Sequence, residues 1–372
     1  MNQRSHTFSP FSSLTYALLV ALCAISGAAQ VQTPLTSQEL VKLVYQLPQH
    51  PERRDEVVEE IRHRGIGFAL TDGMRSLVAS KSGNDALLRR TLEEAERRRS
   101  SPTVAARPNE VEAADVLART REATRAAVAS MPDFVVRQLI TRQFAFGTTH
   151  NWLPMRPGNH LTVAVSYRES EGGERYKLLA VDGLPTATAD GQERGSYEQE
   201  NGSSSTGEFV TMLKEIFSDE AQTKFTAADT DTIRGHRAII YEYEIKLENS
   251  KQTLEFKDKS AAPLVTRVGG RGRMWVDREN FRVLRLENIA TEIPPGFPIT
   301  ATTDTIDYDW VTIAERKYLL PVSASVEMST VQQGKLYQTH NEIAFRSYQK
   351  YGTEVKIVEE DDFPAEPPPK KP

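Results

Sequence analysis

Two periodicities divide the chain. Before about residue 130 the apolar positions recur every three to four residues, and after it they alternate with polar ones. Leu161, Val163, Val165 and Tyr167 alternate with Thr162, Ala164, Ser166 and Arg168. Ile239, Tyr241, Tyr243, Ile245 and Leu247 alternate with Glu242, Glu244 and Lys246. Val322, Ala324, Val326 and Met328 alternate with Ser323, Ser325, Glu327 and Ser329. Each stretch reads as a strand with one dry face and one wet face. The clearest strand-turn-strand signal is Arg271 to Leu286, where the polar Asp277-Arg278-Glu279-Asn280 separates two β-prone runs. Phe134, Val136, Ile140 and Phe144 share parity, interrupted by Gln138 and Arg142, and Leu254 and Phe256 are expected to return antiparallel to the Ile239 strand. About ten strands joined mostly by short turns predict a meander, because consecutive strands usually pair and no helical crossovers are present.

The helical part has readable starts. Thr36-Ser-Gln-Glu39 is a capping box, Glu52 to Arg64 carries Val57, Val58 and Ile61 at helical spacing, and Thr71 can cap a helix with Met74, Leu77 and Val78. A fourth helix carries Leu87, Leu88, Leu92 and Ala95 and ends in Arg97-Arg98-Arg99, which reads as a solvated terminus opposing the helix dipole. Glu110 to Ser130 predicts a longer helix with Val111, Ala114, Leu117, Ala118 and Ala126 inward. One more begins at Gly207-Glu208 and sets Phe209, Leu213, Ile216 and Phe217 on a stripe that only the sheet can cover. The fold class expected is therefore α+β: a long, curved, half-barrel-like antiparallel sheet with helices on its concave side, preceded by a small helical bundle.

The organisation expected along the chain is an export signal at 1–29, the bundle at 33–99, a linker at 100–109, the sheet domain at 110–358 and a disordered acidic, Pro-rich tail at 359–372. The signal reading rests on Arg4, the apolar run Leu14 to Ile25, and Ser26-Gly-Ala-Ala29 as a cleavage site. Cleavage after Ala29 shifts the formal net charge of −5 one unit further negative, so no basic surplus points to nucleic acid or anionic lipid. It also removes Cys23, the one cysteine, which excludes disulfides and thiolate chemistry from the rest of the chain. The Val20-Ala21-Leu22 before Cys23 disfavours lipidation. The expected location is periplasmic or envelope-associated, with no transmembrane segment in the mature chain.

Chemistry is weakly written. No pair of His150, His160, His236 and His340 has metal-ligand spacing, so no metal or other cofactor is expected. Asp304, Asp307 and Asp309 are dense acids; two share a face and suit a hard cation, but alternation with Tyr308 and Trp310 reads equally as a wet strand face. Gly202-Ser-Ser-Ser-Thr206 lacks the spacing of a nucleophile elbow, and Gly269-Gly-Arg-Gly272 reads as a tight turn or bulge leading into the hairpin. The arginines of that hairpin, Arg273, Arg278, Arg282 and Arg285 among them, could pair with acids across the ladder. No catalytic residue is identified.

The succession Phe134-Val-Val, Gly272-Arg-Met-Trp-Val-Asp277, Ile293-Pro-Pro-Gly-Phe-Pro-Ile299, Leu319-Leu-Pro-Val322 and Asn341-Glu-Ile-Ala-Phe345 resembles a family of exported proteins of the acidobacterial type, to which no activity is attached. More distantly, the Gly-x-Met-Trp-Val-Asp hairpin within a meander looks like the lipoprotein-carrier, LolA-like half-barrel superfamily. That resemblance implies an apolar cavity under helices that holds acyl chains; the helical bundle and acidic tail have no counterpart in it. The function expected is non-enzymatic binding of a lipid or acyl chain, with Phe209, Leu213, Tyr241, Tyr243, Trp275 and Trp310 as candidate lining. Two alternatives stand beside it: an envelope scaffold that docks protein partners, and a hydrolase with dispersed carboxylates.

Overall fold

The computed structural model describes residues 33–102, 108–147, 150–168, 170, 173–186, 197, 209, 211–257 and 262–352. The expected export signal, the middle of the linker, the first residues of the Gly207 helix and the C-terminal tail lie outside them. Four helices come first: α1 (Ser37–Gln46), α2 (Arg54–Arg64), α3 (Asp72–Lys81) and α4 (Ala86–Ser100). The capping box of α1 forms as read, with Thr36 Oγ1 accepting from Glu39 N and Glu39 accepting from Thr36 N. Thr71 caps α3, and Asp85 caps α4 through Leu88 N. Leu35, Leu40, Val44, Ile61, Leu88 and Leu92 close a core of their own. Helix α5 (Glu110–Ala129) follows, capped by Asn109. It buries Ala113, Val116, Thr120 and Thr124, and leaves Val111 80% exposed. The inward stripe expected there is thus rotated, because small residues all around a helix give its burial no clear direction.

The rest is one open antiparallel sheet of twelve strands. It comprises β1 (Phe134–Phe146), β2 (Leu153–Pro154), β3 (His160–Arg168), β4 (Gly173–Val181), β5 (Leu184–Pro185), β6 (Lys224–Ile233), β7 (His236–Ile245), β10 (Gly269–Asp277), β11 (Val283–Thr291), β12 (Ile299–Ile313), β13 (Arg316–Gln332) and β14 (Lys335–Lys350). A two-stranded ribbon, β8 (Thr253–Phe256) with β9 (Leu264–Arg267), lies off the sheet, and the short α6 (Thr211–Ile216) precedes β6. Leu254 and Phe256 therefore pair with β9 instead of returning along β7, whose partners are β6 and β10. The meander is also opened at an unexpected point. The last strand inserts beside the first, Ile140 opposite Ile343, so the edges are β5 and β6.

The curved sheet carries helices on both sides. Its inner face, with Ile140, Ile239, Tyr241, Met274, Ile306 and Phe345, packs against α5, Phe209, Ile216 and Phe217 in the main core. Tyr241 donates from its hydroxyl to Ala113 O of α5 at 2.8 Å. The opposite, outer face holds the wet residues of the alternation, and there the bundle docks. Arg62 of α2 meets Glu287 at 2.8 Å, Arg54 meets Glu327 at 2.8 Å, and Arg90 of α4 also pairs with Glu287. Arg97 is bidentate to Asp231 at 2.8 and 3.1 Å, and Arg98 pairs with Asp229. The arginine-rich end of α4 is thus no solvated terminus but a clasp on β6. Two of its three cations find acids that 130 or more intervening residues hide from a sequence reading.

Candidate functional site

The register shifts of the ladders joining seven strands fall at Val135/Arg137, Trp275/Val276, Ile299/Ala301 and Asp307/Tyr308, so between them rungs of the inner face can be read straight across. One rung is apolar: Ile140, Ile343, Ala324, Ile306, Leu286, Met274, Tyr241. The next, two residues along each strand, is Arg142, Asn341, Val326, Asp304, Asn288, Gly272, Tyr243. Five of its seven members are polar or bear a polar tip, on a face that is otherwise mostly apolar, with Gln138 opposite Phe345 an exception. Tyr243 Oη stands 3.0 Å from both Glu287 O and Asn288 Oδ1, two acceptors that share its one O–H donor. Asn288 Nδ2 reaches Gln252 Oε1 at 3.3 Å and Asp304 Oδ2 at 3.4 Å. One rung further, Phe144, Thr339 and Met328 are only half-buried, and Phe146 beyond them is 56% exposed against Tyr337. The inner face therefore grades from a helix-covered apolar half, through a polar row, to an open aromatic end.

Asp304 is the titratable centre of that row. Loss of hydration pushes its carboxyl up to about 6 from the usual 3.8, and the Asn288 amide only partly counters this. The fold thus penalises the carboxylate: the penalty is absent below about pH 3.8, grows up to about 6 and is complete above it. Asp304→Asn is expected to stabilise the protein at pH 7 by about 1–3 kcal/mol, one pKa unit being about 1.4 kcal/mol before solvent screening. Denaturant melts of the two proteins at about pH 4 and pH 7 check this. An advantage that does not grow between those values contradicts it.

The six expected lining residues do not converge. Phe209, Tyr241 and Tyr243 face the inner side but are at most 3% exposed, and Leu213 packs partly buried beside them. Phe209 is enclosed by the rings of Phe134, Phe345 and Tyr348. Trp275 pairs with Ile240, one residue out of step with the Met274–Tyr241 pair, and so points to the outer face. There it is fully buried with Ile233, Ala238, Ile240 and Leu284, donating to Asp231 Oδ2 at 3.1 Å. Trp310 stands 44% exposed near the end of β12. Of the polar row, Tyr243 is an expected lining residue and Asp304 one of the three dense acids, whereas Arg142, Asn288 and Asn341 carry no expectation as ligand contacts. The signal available for them was the interruption of the apolar parity of β1 at Arg142.

The other motifs are absorbed structurally. Asp307 is held bidentate by its cross-strand neighbour Arg285 at 2.8 and 3.2 Å, and Arg234 reaches Asp307 and Asp309, each at 3.4 Å. Guanidinium groups neutralise those acids. Among the described residues no group of His, Cys, Asp or Glu could hold a metal ion. Arg273 pairs with Glu242 and Arg278 with Glu112 of α5, while Asp277 caps its own turn through Glu279 N and Asn280 N. Gly269 to Gly272 is regular strand and not a turn. A side chain on Gly272 would collide with Glu287 O, and Gly270 lies under the amide of Gln252.

Among the described residues no helix is long and apolar enough to cross a membrane. No protein-family profile matches the chain, and no curated protein matches it, so the resemblance to acidobacterial-type exported proteins gains no support there. Solved structures are similar at low identity. A LolA superfamily protein from Nitrosomonas europaea is 12% identical over 66% of this chain and 98% of its own, with a TM-score of 0.30. A DUF1329 family protein from Desulfovibrio piger is 10% identical over 64% and 95%, also at 0.30. MucB in complex with MucA(peri) is 13% identical over 63% and 93%, at 0.17. At these identities and TM-scores the likeness carries nothing about a ligand or a role for this chain.

Proposed function

We propose that this is an exported, non-enzymatic binding protein of the cell envelope that holds a lipid or other acyl-chain amphiphile on the inner face of the sheet. The observation that carries the reading is the grading of that face. An open end with Phe144, Phe146, Tyr337 and Met328 suits an acyl tail, and the adjoining buried row of Arg142, Asn341, Asp304 and Asn288 supplies the polar groups that its head would have to reach. Sites for small ligands are mostly apolar with a few convergent polar groups, and this end of the sheet has that composition. Export rests on the leader-like first 29 residues.

Native mass spectrometry of the full chain, recovered from its own envelope without harsh detergent, is expected to show an adduct of fatty-acid or lipid mass. Organic extraction removes the adduct, and Phe144→Asp greatly reduces it. A bare mass under gentle conditions sinks the reading. The scaffold alternative is weaker, because the bundle directs Arg54, Arg62, Arg90, Arg97 and Arg98 at the chain's own sheet. The hydrolase alternative lacks its second acid: the rung that holds Asp304 carries no other carboxylate.

A further inference from the structure

Where the bundle overhangs the outer face, a cleft of about 290 Å³ opens between the first turns of α4 and four strands. Its floor is set by register. One rung reads Leu139, Ala344, Ser323, Asp307 across β1, β14, β13 and β12, and the next reads Thr141, Glu342, Ser325, Thr305. Glu327 and Thr303 follow on a third. The roof is Ala86, Leu87 and Arg90. Five hydroxyls thus stand on a grid of about 4.8 Å between strands and about 6.7 Å along them, the scale of one sugar ring. Three of them already meet protein side chains, Ser325 Oγ with His340 Nε2 at 3.0 Å, Thr141 Oγ1 with His160 Nδ1 at 3.5 Å and Thr305 Oγ1 with Arg90 at 3.5 Å, but a hydroxyl offers one donor and two acceptor sites, so each keeps capacity for a ligand.

The charges around the cleft are engaged with one another. Asp307 is held by Arg285, Glu327 by Arg54 at 2.8 Å, and Arg90 by Glu287. Glu342 stands at the exposed rim. An anion brought in would face three carboxylates, and a cation would meet Arg90 with Arg54 behind Glu327. A neutral molecule rich in hydroxyls meets neither penalty, and Leu87 and Leu139 offer its C–H face a small apolar surface. The volume is near the lower end of small-molecule sites, roughly 300 Å³, and equals that of about ten waters.

We infer that this cleft binds a neutral polyhydroxylated ligand of the mono- or disaccharide class. The site is on the opposite side of the sheet from the amphiphile site and does not depend on it. The test titrates the full chain with glucose, N-acetylglucosamine, maltose and cellobiose by saturation-transfer NMR and calorimetry, with inorganic phosphate and spermidine as charged probes. At least one sugar is expected to bind saturably. The double variant Thr303→Val, Ser323→Ala, which keeps volume while removing two hydroxyls, should weaken it about tenfold, the loss of about 1.4 kcal/mol that one or two neutral hydrogen bonds supply. Hydrogen exchange of the wild-type chain gives a reading independent of the variant, since bound sugar should slow the amides at the start of α4. The inference is overturned if no sugar binds saturably, if the double variant binds as tightly as the wild type, if α4 exchange is unchanged by a bound sugar, or if a charged probe is preferred over every sugar.

Discussion

Glu287→Gln lowers the stability of the protein by about 3–5 kcal/mol, the range found when one partner of a buried ion network is removed. Glu287 is 5% exposed and accepts from Arg62 at 2.8 Å and from Arg90, while Arg273 and Arg285 lie near enough to act on it. Burial alone would raise its carboxyl, but these four guanidinium groups outweigh it and hold it at about 2 against the usual 4.5. The carboxylate is therefore favoured more in the folded than in the unfolded chain. Its contribution is complete above about pH 4.5 and is lost as the pH falls toward 2. A shift of that size corresponds to about 3 kcal/mol, at the lower end of the same range.

Two measurements separate this from a general packing defect. Urea midpoints of wild type and variant should draw together as the pH falls from 7 to about 3, because the unfolded carboxyl takes up its proton near 4.5 whereas the folded one holds out to about 2. A triple variant, Glu287→Leu with Arg62→Met and Arg90→Leu, should be less destabilised than Glu287→Gln, since it leaves no unpaired buried cation. A triple variant worse than the single, or curves that stay parallel through the acid range, would show that the clasp does not act as a charge network. Nearby, Glu94 is 1% exposed, and its oxygens stand 3.8 Å from Arg90 and 3.9 Å from Arg285, beyond hydrogen-bond range. Burial, with Asp231 and Glu287 nearby, raises its carboxyl against the pull of Arg90 and Arg62, so Glu94 acts in the opposite sense on the acid side.

Gly272→Ala should cost about as much, some 3–5 kcal/mol, through a different cause. Gly272 does not need an unusual backbone angle; it needs the absence of a side chain. A Cβ there would stand 1.8 Å from Glu287 O and 2.9 Å from the Tyr243 hydroxyl. That hydroxyl donates to the same carbonyl, so the Tyr243 side chain and the Glu287 backbone both crowd toward the missing side chain. Adding Tyr243→Phe removes the second contact and leaves the first, so the double variant should remain close to the single in stability. Recovery of most of the loss would place the strain in the movable phenol and not in the ladder. Gly235→Asn is the contrasting control. Its φ of +83° strains a side chain, yet nothing lies within 4 Å of it, and asparagine tolerates such angles, so the cost should stay below about 1 kcal/mol.

The polar row and the clasp show how far alternation can be read. The wet residues Glu327, Ser325 and Ser323 share one face of β13 as their spacing requires, but the spacing does not say that helices cover that face. Trp275 shows the same limit within the dry residues. Its parity is readable, yet only the pairing of Met274 with Tyr241 places it on the outer face. Asp304 was visible as an acid, and its neighbours across the ladder, Asn288 and Val326, were not.

What the sequence by itself determined is what short-range physics controls: the capping box of α1 and the cap of α3, the helical and strand periods, the Asp277 hairpin, and a long antiparallel sheet with unlike faces. The tertiary structure alone decided the register, the insertion of β14 beside β1, the docking of the bundle, and so the polar row and the outer cleft. The reason is distance along the chain. A hydrogen-bonded turn joins residues a few positions apart, whereas Arg54 and Glu327 are 273 apart, and no local pattern records which of many equivalent charges will meet once the sheet has curled.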